Sequence, residues 1–219
     1  MSVVAFTIVC MIASYLVCGI PFGLLVAKTK GVDVRKAGSG NIGMTNVART
    51  VGGKAAALTF LLDVFKGTIC VLLARFLLAR LFLGGEWALT TPQQPLGWSA
   101  SFVWASCVLG HIFSPYLGFH GGKGISVGLG AGLGLCWPVA LLALAVFLLV
   151  AIPSRYVSLG SICAAIALPT WAFVFGFTPT AMIAPIATCA LVIWSHRANI
   201  ERLRNGTENK FTLHKDKKV

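Results

Sequence analysis

Apolar runs at or near bilayer-spanning length recur from one end of this chain to the other. In hydrocarbon every backbone polar group must be paired within the protein, so such runs fold as helices. Over the 219 residues, 57% are hydrophobic and 11% charged, far too apolar for a soluble domain carrying one anchor. The expected fold is all-α: one integral membrane domain over residues 1–219. No basic leader precedes the run at 3–20 and no A-x-A cleavage signal follows it, so it reads as a retained first span.

Charge decides how often the chain crosses. Residues 2–27 form the first span. Residues 28–54 then carry Lys28, Lys30, Arg35, Lys36, Arg49 and Lys54 against the single acid Asp33. The positive-inside rule makes this segment cytoplasmic and the N-terminus external. Spans follow at 55–82 and 99–117, joined by a segment with Glu86 and no Lys or Arg. Residues 124–152 are ambiguous. One long helix would put Arg155 outside, and the basic tail too, with its Arg197, Arg202, Arg204, Lys210, Lys215, Lys217 and Lys218. A split near Trp137-Pro138 repairs both, giving a short glycine-rich segment at 124–136 and spans at 138–152, 157–175 and 180–194. The expectation is seven transmembrane segments, N-terminus outside and C-terminus cytoplasmic.

Four polar pieces then meet at the cytoplasmic face, at about 37–54, 119–124, 153–161 and 196–210. The first, residues 37–49, combines glycines, hydroxyls and amides with Arg49, an inventory that suits a phosphate. A flexible turn would explain its glycines and serine alone. The second holds Lys123 among Gly121, Gly122 and Gly124. It is no P-loop, because Gly118 is too close and Gly124 stands where Ser or Thr should be. What remains is either an oxyanion site or a lysine marking the membrane surface. In the third, Ser158 and Ser161 share a helix face one turn beyond Arg155; helix packing is the competing role. In the fourth, His196 and Asn199 lie within one turn. Inside the second span Asp63 and Lys66 can pair, and a structural brace for the 37–49 segment is the favoured reading.

The net charge of +12 is dispersed among loops beside apolar spans, which fits anionic lipid or phosphorylated substrate and not nucleic acid. Seven cysteines lie in or at the ends of apolar runs without metal-site spacing and read as small packing residues. No metal, cofactor or obligate protein partner is expected. There is no His-x-x-x-x-Asp motif and no carboxylate cluster. Chemistry here must rest on positioning and charge stabilisation without a protein nucleophile.

With these residues in view the sequence resembles the PlsY-type glycerol-3-phosphate acyltransferases of bacteria. The resemblance is carried by the 38–49 segment, Asp63-Val64-Phe65-Lys66-Gly67, Gly110-His111-Ile112-Phe113 with Gly121-Gly122-Lys123-Gly124, Arg155-Tyr156-Val157-Ser158-Leu159, and Asn199-Ile200-Glu201-Arg202-Leu203. Met44 stands where alanine is usual, and Arg204 falls where the family varies. The resemblance implies transfer of a fatty acyl group from acyl phosphate to the sn-1 hydroxyl of glycerol 3-phosphate, at the cytoplasmic side of the inner membrane. It implies Arg49, Lys123 and Asn199 as catalytic residues, and Ser39, Gly40, Asn41, Gly43, Gly121, Gly122 and Ser161 around the acyl phosphate. Thr45, Asn46, His196 and Arg204 would hold glycerol 3-phosphate, with Asp63, Lys66, His111, Arg155 and Ser158 in support. The alternative is a membrane transporter for organic phosphates, against which stands the absence of a convincing inverted repeat. A passive anchor would leave the clustered donors unexplained.

Overall fold

The computed structural model describes residues 2–211; Lys215, Lys217 and Lys218 of the basic tail lie outside the described residues. Those residues contain nine α-helices and no strand: α1 (Val3–Gly19), α2 (Phe22–Lys28), α3 (Met44–Thr50), α4 (Gly53–Phe82), α5 (Trp98–Ile112), α6 (Ile125–Ser154), α7 (Val157–Val174), α8 (Pro179–Ser195) and α9 (Arg197–Arg204). Five helical stretches are long and apolar enough to cross a bilayer. The α8–α9 pair, bent by 57°, makes a sixth if taken as one span.

Helix ends follow local chemistry. Ser2 caps α1 by accepting from the Ala5 amide, and Thr178 caps α8 with Pro179 in its first turn. Pro21 has no N–H to extend α1, so the first stretch breaks at Ile20–Pro21 and restarts as α2. A similar break interrupts α6. Cys136 has non-helical backbone angles (φ −153°, ψ 88°) two residues before Pro138. The proline ring would clash with the Gly134 carbonyl, which loses its donor. Arg75 of α4 replaces it: Nη1 donates to Gly134 O at 2.7 Å and to Leu135 O at 3.3 Å. Nε of the same buried side chain donates to Thr90, and its guanidinium lies over the Trp87 ring. The split expected near Trp137-Pro138 is therefore a real discontinuity in the backbone.

α4 packs against α6, α1 against α5, and α6 against α7, with α8 closing on α5 and α7. Close approach rests on small residues, as in other membrane bundles. A Cβ on Gly130 would fall 2.0 Å from the Val64 carbonyl, and one on Gly110 would fall 2.2 Å from that of Tyr15. Large side chains such as Phe65, Leu149 and Phe173 are exposed on the outside, as expected for a surface facing lipid.

The Asp63–Lys66 pair sits inside, nearly fully buried, with Lys66 Nζ 2.6 Å from Asp63 Oδ1 and 3.3 Å from His111 Nδ1. Lys66 also donates to Ile20 O at 2.8 Å. The expectation is a brace for the 37–49 segment; what Lys66 grips is the α1–α2 break, where it shares the Ile20 carbonyl with the Phe22 amide, itself 3.1 Å away.

Candidate active site

Asn46, on the first turn of α3, organises the segment before it. Its Nδ2 lies 2.8–3.0 Å from the carbonyls of Val34, Ala37 and Asn41, and its Oδ1 accepts from the Ser39 amide at 2.8 Å. The turn wraps so closely that a Cβ on Gly38 (φ +59°) would lie 2.2 Å from Asn46 Oδ1, so only glycine fits. Asn41 Oδ1 then accepts from the Gly43 amide. This wrapping brings Ser39, Asn41, Gly43 and Thr45 to the wall of a cavity of about 230 Å³, with Arg49 one turn further along α3.

Lys123, just before α6, borders the same cavity, as do Gly124 at the helix start and Ile125 and Ser126 in its first turn. Its ammonium donates to Asn199 Oδ1. Burial lowers the Lys123 pKa to about 8; Glu208 pulls it back up, while Arg202 and Arg49 push it further down.

Asn199 Nδ2 donates in turn to Glu208 Oε1 at 2.7 Å, which also receives the Ser158 hydroxyl at 2.7 Å. Arg202 Nε donates to the other carboxylate oxygen at 2.7 Å. Burial alone would raise the Glu208 pKa, yet the bonds from Ser158, Asn199 and Arg202 hold it below the ordinary carboxylate value. His196 has Nδ1 2.8 Å from the Val192 carbonyl; a carbonyl only accepts, so that nitrogen carries the proton, and in the neutral ring Nε2 is left as an acceptor. Ser161 bonds the Val157 carbonyl one turn back while bordering the cavity.

The four polar pieces thus meet. Ser39, Asn41, Gly43, Thr45, Asn46, Arg49, Lys123, Ser158, Ser161, His196 and Asn199 all border one cavity, together with Asp63 and His111. Beyond this polar end the same cavity runs between apolar side chains of α6, α7 and α8, including Leu129, Val139, Leu144 and Leu168.

Several site residues act differently from expectation. The amides of Gly121 and Gly122 bond the Ile112 and His111 carbonyls and so cannot cradle an anion. Both glycines serve packing: a Cβ on Gly121 would sit 2.0 Å from His111 O, and one on Gly122 would sit 2.2 Å from the imidazole Nε2. The Gly40 amide bonds Ala37 O within its turn, and Gly40 is not on the cavity wall. Asn46 borders the cavity, but its amide is committed to the turn. Lys66 is absent from the wall as well. Arg155 contributes its backbone, in the left-handed region at φ +61°, where its carbonyl receives the Phe211 amide at 2.7 Å. Arg204 is exposed and off the wall, whereas Arg202 is on it. Helical spacing carries the signal for this: residue 202 follows His196 and Asn199 at intervals of three, and residue 204 does not. Glu208 gave no comparable signal, since its place depends on how the chain folds back after α9.

Among the described residues, the group of three side chains close enough to share a metal is Cys18, Cys70 and Cys107, with sulfurs within 4.8 Å of one another. It lies between α1, α4 and α5 and away from the cavity wall, where the thiols pack with Val71 and Val103.

Known proteins are similar along nearly the whole chain. Residues 8–206 match the family described as glycerol-3-phosphate acyltransferase. A protein of that name from Geotalea daltonii is 43% identical over 204 residues, which are 93% of this chain and 97% of the relative. One from Aquifex aeolicus is 40% identical over 201 residues, covering 92% and 97%. The crystal structure of PlsY, an integral membrane glycerol 3-phosphate acyltransferase in its glycerol 3-phosphate form, matches with a TM-score of 0.82 at 38% identity over 94% of this chain and 96% of that one. Its lysophosphatidic acid form matches with a TM-score of 0.80. With the family model matched over residues 8–206, relatives 40–43% identical and a shared helix layout, this chain belongs to the glycerol-3-phosphate acyltransferase family.

Proposed function

We propose that the acyl donor is an acyl phosphate, and that the fatty acyl group passes directly to the sn-1 hydroxyl of glycerol 3-phosphate. The observation that carries this is the shape and charge of one cavity. Arg49 and Lys123 stand at its polar end, and the remainder is an apolar groove open to a lipid tail. An acyl phosphate has that form: an anionic head, an activated carbonyl and a long apolar chain. No carrier handle is needed for binding.

In this reading the glycerol hydroxyl oxygen attacks the acyl carbonyl carbon, the bond from that carbon to the phosphate oxygen breaks, and inorganic phosphate leaves. The hydroxyl proton goes to a phosphate oxygen of the substrates. Arg49 and Lys123 offset the negative charge on the departing phosphate, Ser39 and Asn41 hold its oxygens, and the Ser161 hydroxyl joins them by turning away from the Val157 carbonyl it bonds in this structure. Thr45, His196 and Asn199 orient glycerol 3-phosphate so that its hydroxyl faces the carbonyl carbon from above the carbonyl plane.

We further propose seven transmembrane segments in the inner membrane, with the N-terminus external and the cavity mouth cytoplasmic. The break at Cys136 supports this count. At 1.5 Å per residue, the piece of α6 before it is about 16 Å long and the piece after it about 27 Å. The first suits a half-depth helix and the second a full crossing.

One assay tests the donor. Protein purified in detergent and given acyl phosphate with glycerol 3-phosphate should release lysophosphatidic acid and stoichiometric phosphate. Product formed only when acyl-CoA or acyl carrier protein is supplied would overturn the reading. A pH–rate profile governed by a histidine, and abolished by His196→Ala or His111→Ala but not by Arg49→Ala, would replace the substrate phosphate with a protein base.

A further inference from the structure

The segment after α9 folds back over the cavity mouth and places a carboxylate where the cations converge. Glu208 has a side chain only 6% exposed. Its oxygens take three donors from two elements: Ser158 of α7, and Asn199 and Arg202 of α9. Neighbouring contacts hold the fold-back in place. Asn209 O accepts from Arg49, the Lys210 ammonium lies over the Tyr156 ring, and the Phe211 amide bonds Arg155 O.

From this geometry we infer that Glu208 is a positioning residue for acyl transfer, fixing the Asn199 amide so that its oxygen holds the Lys123 ammonium at the cavity. The inference rests on the proposed role of Lys123 at the phosphate. A carboxamide can face either way. With Nδ2 bound to a carboxylate, which only accepts, the opposite orientation would set oxygen against oxygen, and Lys123 would lose its acceptor. The fixed negative charge also keeps the ammonium protonated in a partly dry site. Arg202, on the far side of the carboxylate, works in the other direction.

These opposed influences make the idea testable through the alkaline limb of the pH–rate profile. Groups bordering the cavity with Lys123 are Arg49 on α3, Asp63 on α4, His111 on α5, and His196, Arg202 and Glu208 at and beyond the α8–α9 bend. Glu208→Gln keeps the size of the side chain and removes the charge. It should lower kcat at least about tenfold, through the misplaced ammonium. Its alkaline limb should move down by about half a pH unit or more. Arg202→Gln should move that limb upward. Loss of a merely structural contact would leave the limb in place in both. Thermal unfolding in detergent checks that each variant is folded.

An unmoved limb in Glu208→Gln, shifts of the same sign in both variants, or activity of Glu208→Gln within about twofold of the unaltered protein would each overturn the proposal. If Glu208→Gln does not fold, Arg202→Gln decides: an upward shift supports it, and an unmoved or downward limb sinks it. The profile is measured with whichever acyl donor the unaltered protein accepts. Failure of acyl phosphate as donor therefore overturns the donor reading and leaves the test of Glu208 intact.

Discussion

Lys123 carries its charge at a cost that pH can expose. Burial disfavours the ammonium and brings its pKa to about 8. The sign follows directly: a lysine lowered by burial is charged below that value and neutral above it. Phosphate binding that depends on the ammonium should weaken as pH rises through about 8, seen as a falling kcat/KM on the alkaline side. Arg49 is fixed less by its neighbours, with one bond to the Asn209 carbonyl at 3.3 Å. Arg49→Ala should cut kcat/KM by about 10² to 10³ while leaving the unfolding temperature nearly unchanged, the pattern for losing a donor to developing charge. Asn46→Ala should do the opposite. Its amide braces Val34, Ala37, Ser39 and Asn41, so substitution should lower the unfolding temperature and disorder the Ser39–Asn41 wall, with activity lost as a consequence.

Broken helices give this bundle its site, and each break has a side chain that satisfies it. Lys66 bonds the Ile20 carbonyl alongside the Phe22 amide, and Arg75 bonds those of Gly134 and Leu135. Arg75→Leu would leave two buried carbonyls without donors, at about 1–3 kcal/mol each. The expected outcome is a clear drop in thermal stability in detergent, with misalignment of the α6 piece that carries Ser126 and Gly128 along the cavity. Gly130 sets the spacing between that piece and α4. Gly130→Ala would put a methyl 2.0 Å from the Val64 carbonyl, so the helices must separate at a cost of about 1–3 kcal/mol, measurable as a lowered unfolding temperature.

Across the bundle as a unit, polar and apolar regions are segregated in a way that serves an interfacial reaction. The cationic end of the cavity gathers residues from α3, α7, α9 and the turn before α6, while the groove runs between helices whose outer faces carry exposed large apolar side chains. A lipid substrate can then keep its tail in an apolar environment while its head meets a water-soluble partner. Proposed orientation and site agree only if the mouth opens to the cytoplasm. A reporter enzyme active solely after export should be silent when fused at the C-terminus and active when fused in the 84–97 segment. The reverse pattern would invert the proposed topology.

Spans, their order and the four polar pieces are legible in the chain because hydropathy, positive charge and helical spacing are local properties. Even the interruption within residues 124–152 could be read from charge, and Pro138 then supplied its steric cause. Pairings between pieces distant along the chain were not legible. Whether a glycine amide faces a ligand or a neighbouring carbonyl depends on what packs against it, so Gly121 and Gly122 look the same either way in sequence. Arg75 meets its carbonyls across a helix interface, and Glu208 reaches Ser158 and Asn199 only because the chain turns back after α9. Amino-acid order dictates which segments enter the membrane, since transfer free energy sums along a segment. Packing dictates which polar group answers which, since a hydrogen bond in a dry interior is settled within about 3 Å.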